Sequence, residues 1–258
     1  MREVERAFAE TTKLLLGTEL EGLDDYGGWL SRRVPIPVKE KSALSGREVW
    51  MQPPLCLLRK PFDKSRIIDI AEIEKVNKSP FKADDLKDAD LHKLLDIVKP
   101  VTYYCGNLRY QTFNNLEKVS GAGGVSNIYC SEDIWFKSKS VAFSNLVVFS
   151  DNIFGSHMAH YSHYCINIYN SFKISRGFEI DGCTNCSDVY FCHNSQNLRD
   201  CILCFNAKNL KYAVGNTELK REKYLELKAM LFDYITENLA REKALEVDIF
   251  NVGCYGES

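Results

Sequence analysis

The chain has 258 residues, a formal net charge of −2 and a sequence pI near 6.2. Apolar residues make up 45% and charged residues 26%, an ordinary balance for a folded chain, and the near-neutral charge gives no overall pull toward nucleic acid. No window approaches eighteen apolar residues, so no membrane partner is expected, and the charged opening "MREVERAFAE" lacks the apolar stretch of a secretory signal.

Val4, Ala7, Phe8 and Leu14 to Leu16 recur at helical spacing and are ended by Gly17, which predicts a helix over 2–16. The next segment mixes β-type runs, Val34 to Val38 and Glu48 to Met51, with Gly, Pro and Ser breakers. A second helix is predicted near 84–98 from Leu86, Leu91, Leu94, Leu95 and Val98, stopped by Pro100. Residues 1–101 therefore form a small mixed α/β region, and they contain no recognisable catalytic motif.

From about Tyr103 the texture changes to Tyr, Phe, Asn, Ser, Cys and Val. Written in twelves from Ser126, one column reads Cys130, Ala142, Phe154, Ile166, Phe178, Tyr190, Ile202 and Val214, all apolar or aromatic. The column before it reads Tyr129, Val141, Ile153, Cys165, Gly177, Val189, Cys201 and Ala213. Another contains Asn170, Gly182, Asn194 and Asn206, the residues that tolerate a left-handed turn at low cost. A fixed period with segregated columns marks a solenoid, and twelve residues suit a coil of short strands. The predicted fold class is mainly β: a narrow single-stranded β-helix over 102–217 with about 12 residues per coil. The coils from 126 to 209 show no insertion and would span roughly 34 Å at about 4.8 Å each. "NNLEKVSGAGGV" (114–125) reads as a degenerate first coil.

Thr217 is the predicted N-cap of a helix striped by Tyr224, Leu227, Leu231, Tyr234 and Leu239. Residues 218–258 are thus a C-terminal capping helix and tail, and 1–101 covers the opposite end.

Ten cysteines without a secretory signal point to a reducing compartment and a cytoplasmic location, with thiols buried or metal-bound. Cys183, Cys186, Cys201 and Cys204 form two Cys-x-x-Cys pairs at zinc-ribbon spacing, so zinc is one candidate cofactor. Against zinc, Cys192 and Cys204 share one column and Cys165 and Cys201 another, where cysteine interchanges with small hydrophobes. Ile202-Leu203 is also a poor metal knuckle. The buried-wall reading is preferred, with no cofactor. His157, His160 and His163 are read as solvent-facing positions. Glu179, Asp181 and His193 come from adjacent coils, and Asp181 and His193 share a column, which makes them the candidates for a carbohydrate-acting face. A coil without inserted loops offers such a face no pocket. Trp135, Phe143, Tyr161, Tyr169 and Phe205 exceed what so thin a coil can hold and point to a protein contact.

The passage "CFNAKNLKYAVGNTELKREKYLELKAML" (204–231) resembles the end of Cys- and Asn-rich short-coil proteins encoded by tailed bacteriophages and uncultivated bacteria. In those proteins an Asn-Leu turn and a Tyr-containing last strand likewise run into a charged helix. The resemblance implies a virus-associated setting, in host cytoplasm or virion. The "NC…D" steps are also similar to the β-helix of tubulin-cofactor-C and cyclase-associated proteins, which would imply a cytoskeletal or GTPase-regulating module, but no clear arginine finger is present. The expected function is a non-enzymatic structural or interaction protein, a rigid scaffold for subunits of a larger assembly, with self-association open.

Overall fold

A computed structural model describes residues 2–52, 63–78, 81–87 and 89–254. The body is a β-solenoid of about nine turns with counterparts about 12 residues apart. Parallel register pairs such as Ile166 with Phe154 and Phe178 with Tyr190 stack each coil on the one before. The predicted architecture is present, and its internal logic is finer than a period of twelve.

From Ser140 to Gly215 every third residue has positive φ. Each coil is therefore four sides of three residues, in the order inward, outward, corner. The inward positions run Ser138, Val141, Ser144, Val147, and so on at steps of three to Ala213. Left-handed backbone costs a non-glycine residue about 1–2 kcal/mol, yet Phe149, Tyr161, Arg176 and Leu203 all occupy corners. Stacking offsets part of that cost. Asn185 donates to Asn197 at 2.7 Å, and Asn197 to Asn209 at 2.9 Å. Arg176 grips Asp188 through two 2.6 Å bonds. Gly155 is a corner where glycine is required, because a Cβ there would meet the Leu30 carbonyl oxygen at 2.9 Å.

The backbone hydrogen bonds explain the interior. Outward N–H groups donate to the next coil, as Asn145 does to Ser156 O at 2.8 Å. Corner N–H groups donate to the coil before, as Leu203 does to Tyr190 O at 2.9 Å. Inward N–H groups point into the core, and where a serine stands one coil earlier its hydroxyl takes them: Ser162 N donates to Ser150 Oγ at 3.0 Å and Cys183 N to Ser171 Oγ at 3.1 Å. Each such hydroxyl in turn donates to the carbonyl two residues back, as Ser171 does to Tyr169 O at 2.7 Å. A buried polar group with both roles filled carries little penalty.

The register corrects the sequence reading at its first coil. Tyr129, not Cys130, lies over Ala142, and Ile128 over Val141, both thirteen residues apart. The extra residue is at the consecutive left-handed pair Phe136 and Lys137, so the repeat does hold one insertion. The all-apolar column is also an outer column. It is covered by helix α1 (Arg2–Leu16), the short helix α2 (Gly27–Leu30) and the C-terminal helix. Phe8 of α1 packs edge-on against Phe154 at 5.2 Å, and Trp29 of α2 lies 6.1 Å from Phe178.

The two ends are closed by paired backbone. Strand Glu48–Met51 pairs with Val38–Lys41, and Trp50 exchanges bonds with Asn107, its N–H reaching Asn107 Oδ1 at 3.0 Å. Strand Ile67–Asp69 pairs with Tyr104–Gly106. The predicted run at Val34 to Val38 thus begins later, at Val38. The predicted helix at 84–98 is a 3-10 turn at Ala83–Leu86 and helix α3 (Leu91–Val98), with Asp88 outside the described residues. At the far end Thr217 is not an N-cap. Thr217–Glu218 forms a short strand antiparallel to Lys211–Val214, and helix α4 (Arg221–Glu242) starts after Lys220. Asn216 bonds both the N–H and the C=O of Phe205, at 2.9 and 2.8 Å, which closes the edge against further strand addition. The buried stripe of α4 is Tyr224, Ile235 and Leu239; Tyr234 is exposed.

Candidate functional site

The five cysteines from Cys183 to Cys204 all face inward and are 0–3% exposed. Inward positions recur at steps of three, so two consecutive inward cysteines necessarily read Cys-x-x-Cys. The spacing that suggests a metal site is the spacing of the wall. Each thiol sits in the serine orientation and points at the carbonyl two residues back, from 3.3 Å for Cys186 to 3.5 Å for Cys183 and Cys204. Leu198 N–H donates to Cys186 Sγ at 3.4 Å, as other inward amides do to serine. Higher in the stack, burial pushes the Cys165 thiol up to about 12. Among the described residues no group of three or more His, Cys, Asp or Glu side chains is arranged to hold a metal ion.

The same geometry disperses the histidines. A step of three is one side of the coil, so His157, His160 and His163 lie on three successive sides. His163 Nδ1 meets Asp151 Oδ2 at 2.7 Å, one coil earlier. His157 is half-buried, which lowers its pKa.

Asp181 and His193 are stacked as expected, Asp181 Oδ2 lying 2.9 Å from His193 Nδ1. The other Asp181 oxygen accepts from Asn170 Nδ2 at 3.0 Å. Glu179 is not part of this face. It is a fully buried corner residue whose Oε1 accepts from Asn167 at 2.7 Å and whose Oε2 accepts the Ile249 N–H at 3.1 Å. Burial raises its pKa to about 7, against the pull of those two donors. Glu179 therefore fastens the C-terminal tail to the solenoid, and the three candidates do not converge on one reacting atom.

The aromatic surplus divides in three. Phe143 and Tyr169 are buried under the chain's own terminal segments, Tyr169 against Phe250 at 5.2 Å. Phe205 stacks under His193 in the Asp181 column, and Trp135 and Tyr161, with further rings, lie on the side that begins at Val147 and on its corner, which no helix among the described residues covers. Phe136 stacks on Phe149 at 5.5 Å and 19°, and Phe149 on Tyr161 at 5.0 Å and 17°. Phe172 closes the series edge-on to Tyr161 at 5.3 Å, and Tyr110 and Trp135 meet at 5.6 Å over Gly123. Tyr110, Phe113, Phe136, Met158, Tyr161 and Phe172 are 37–52% exposed. Below Phe172 the same columns turn polar, as Thr184, Asn185, Gln196 and Asn197. Period twelve alone does not separate this strip from the clad column, since both are apolar in the sequence; only the three-residue side assigns each to its face.

Comparison with protein-family models gives no match, and comparison with curated proteins gives none. The fold and this surface carry the functional reading.

Proposed function

We propose that the chain is a non-enzymatic binding scaffold, a rigid solenoid that engages a partner protein through its uncovered aromatic face. One observation carries this: the chain covers one outer apolar column with its own helices and, among the described residues, leaves the aromatic strip on the opposite side of the coil bare. Six residues at 37–52% exposure, at about 200 Å² per large side chain, leave on the order of 500 Å² of apolar surface. That matches the functional patches of monomers and is more than half the roughly 800 Å² that each partner contributes to a standard interface. Ladder bonding on all four sides keeps the face ordered before contact, so little entropy is lost on binding. The setting we propose is a virion or assembly component of a tailed phage, in particle or host cytoplasm, supported by the resemblance at 204–231.

Photo-crosslinking from the native cell or particle tests the reading. A benzoyl-phenylalanine at Tyr161 is expected to give one discrete protein adduct, and the same probe at Asn197 none. Absence of an adduct at Tyr161, or equal adducts at both positions, overturns it.

A further inference from the structure

Resting on that scaffold reading, we infer that the partner element is an amphipathic helix with acidic flanks, lying along the column from Trp135 to Phe172.

The ring geometry separates classes of ligand. Sugars and nucleobases bind aromatic side chains through open ring faces. Here Phe136, Phe149 and Tyr161 are stacked on one another within 17–19°, so their faces are occupied and their edges meet solvent. A row of edges is an apolar ridge, the surface that protein side chains pack against. The molecule shows how it covers such a ridge. Its other outer column, Ala142 to Ile202, is clad by α1 and α4, with Phe8 against Phe154 and Phe232 against Tyr190 at 5.0 Å. A helix presents one apolar residue per 5.4 Å turn, close to the roughly 4.8 Å between coils, and four coils from Phe136 to Phe172 match about three turns.

Charge sets the flanks. In the columns that make this face, from Leu146 and Val148 down to Asn206 and Lys208, there is no aspartate or glutamate; Asp133, at the corner above Leu146, is engaged by Gln52, and Asp151, below Lys139 in the adjoining column, is engaged by His163. Lys137 and Lys139 stand at its head and Lys173 at its foot, the Lys173 ammonium 5.2 Å from the Phe172 ring centre. A second copy of the chain laid face to face would set like charges together, whereas a helix with Asp or Glu beside its apolar stripe would meet cations at both ends.

The test uses the full chain and a displayed library of stapled fourteen-residue helices, with a fixed leucine stripe and randomised flanks. Enrichment of Asp and Glu at the flanks is expected. Binding of the selected peptides should weaken about tenfold in the Lys139→Glu, Lys173→Glu double variant and be lost in Tyr161→Glu, while Asn197→Asp stays within twofold. Circular dichroism and the melting midpoint verify that each variant is folded; if Tyr161→Glu is not, Tyr161→Ser replaces it. Flanks that are basic or unselected, or binding indifferent to the lysine changes, overturn the inference. A partner crosslinked at Tyr161 through an extended or basic segment overturns it too, while leaving the scaffold reading in place.

Discussion

Replacing Cys183, Cys186, Cys201 and Cys204 together by serine separates a wall from a metal centre by magnitude. Three of the sites have serine in their own column: Ser171 and Ser195 with Cys183, Ser138, Ser150 and Ser162 with Cys186, and Ser144 and Ser156 with Cys204. A hydroxyl there inherits the carbonyl acceptor at its foot and the inward N–H of the coil that follows. The net hydrogen bond, about 1 kcal/mol, offsets the roughly 0.8 kcal/mol of lost apolar burial, so each change costs within about 0.5 kcal/mol. The Cys201 column has Val141, Ile153, Gly177, Val189 and Ala213 and no serine. A hydroxyl is foreign to it and costs about 1–2 kcal/mol. The sum is about 1–3 kcal/mol, with Cys201→Ser the largest single loss, whereas a structural zinc contributes about 10–16 kcal/mol to folding. Urea unfolding in reducing buffer, with and without EDTA, measures the difference. A wild-type midpoint lowered by EDTA, or a quadruple variant that does not fold, refutes the wall.

Lys173→Asn should raise the melting midpoint by a few degrees, because asparagine tolerates the left-handed corner and extends the Asn185 ladder, a gain of about 1 kcal/mol. An unchanged or lower midpoint in calorimetry speaks against the ladder account. Phe178→Ala should cost about 3–5 kcal/mol, since the ring is fully buried between Trp29, Tyr190 and Phe191; a loss under 1 kcal/mol in urea would show that the terminal cladding is not fastened there. Glu179, with a pKa of about 7 in the fold against 4.5 as its ordinary value, takes up a proton on folding between those two pH values. Its contribution to stability therefore rises as pH falls from about 7 to 4.5 and is flat above. Glu179→Gln should remove that part of the slope, and parallel curves for the two proteins across pH 5–8 would refute it.

The period of twelve was legible because stacked side chains must agree in size and polarity over seven coils. The three-residue side was not, because left-handed corners are usually recognised by Gly and Asn, and here many hold Phe149, Tyr161, Arg176 or Glu179. Without the corners, Ala142 to Val214 looks like an inner wall, when its burial comes from helices distant in sequence. The one-residue slip at Phe136 and Lys137 was hidden because Tyr129 and Cys130 fit an apolar column equally well. Asp181 and His193 followed from the column alone, whereas the displacement of Glu179 depends on a tail 70 residues away. The helical stripe of 2–16 was visible, while Thr217 was drawn out of its helix by the unpaired edge of the last coil.

Tyr190 marks the place where the two cladding helices meet: its hydroxyl donates to Leu15 O at 2.9 Å and its ring packs on Phe232. A helical turn advances 5.4 Å and a coil about 4.8 Å, so the two scales slide past each other like a vernier, by about 0.6 Å per step. After some four coils the slippage is half a coil, and knobs that began in the gaps ride on the crests. No single straight helix can clothe the whole rod, so α1 and α4 relay at Tyr190, and a coil added to or lost from this rod would mis-phase whichever helix crossed the change.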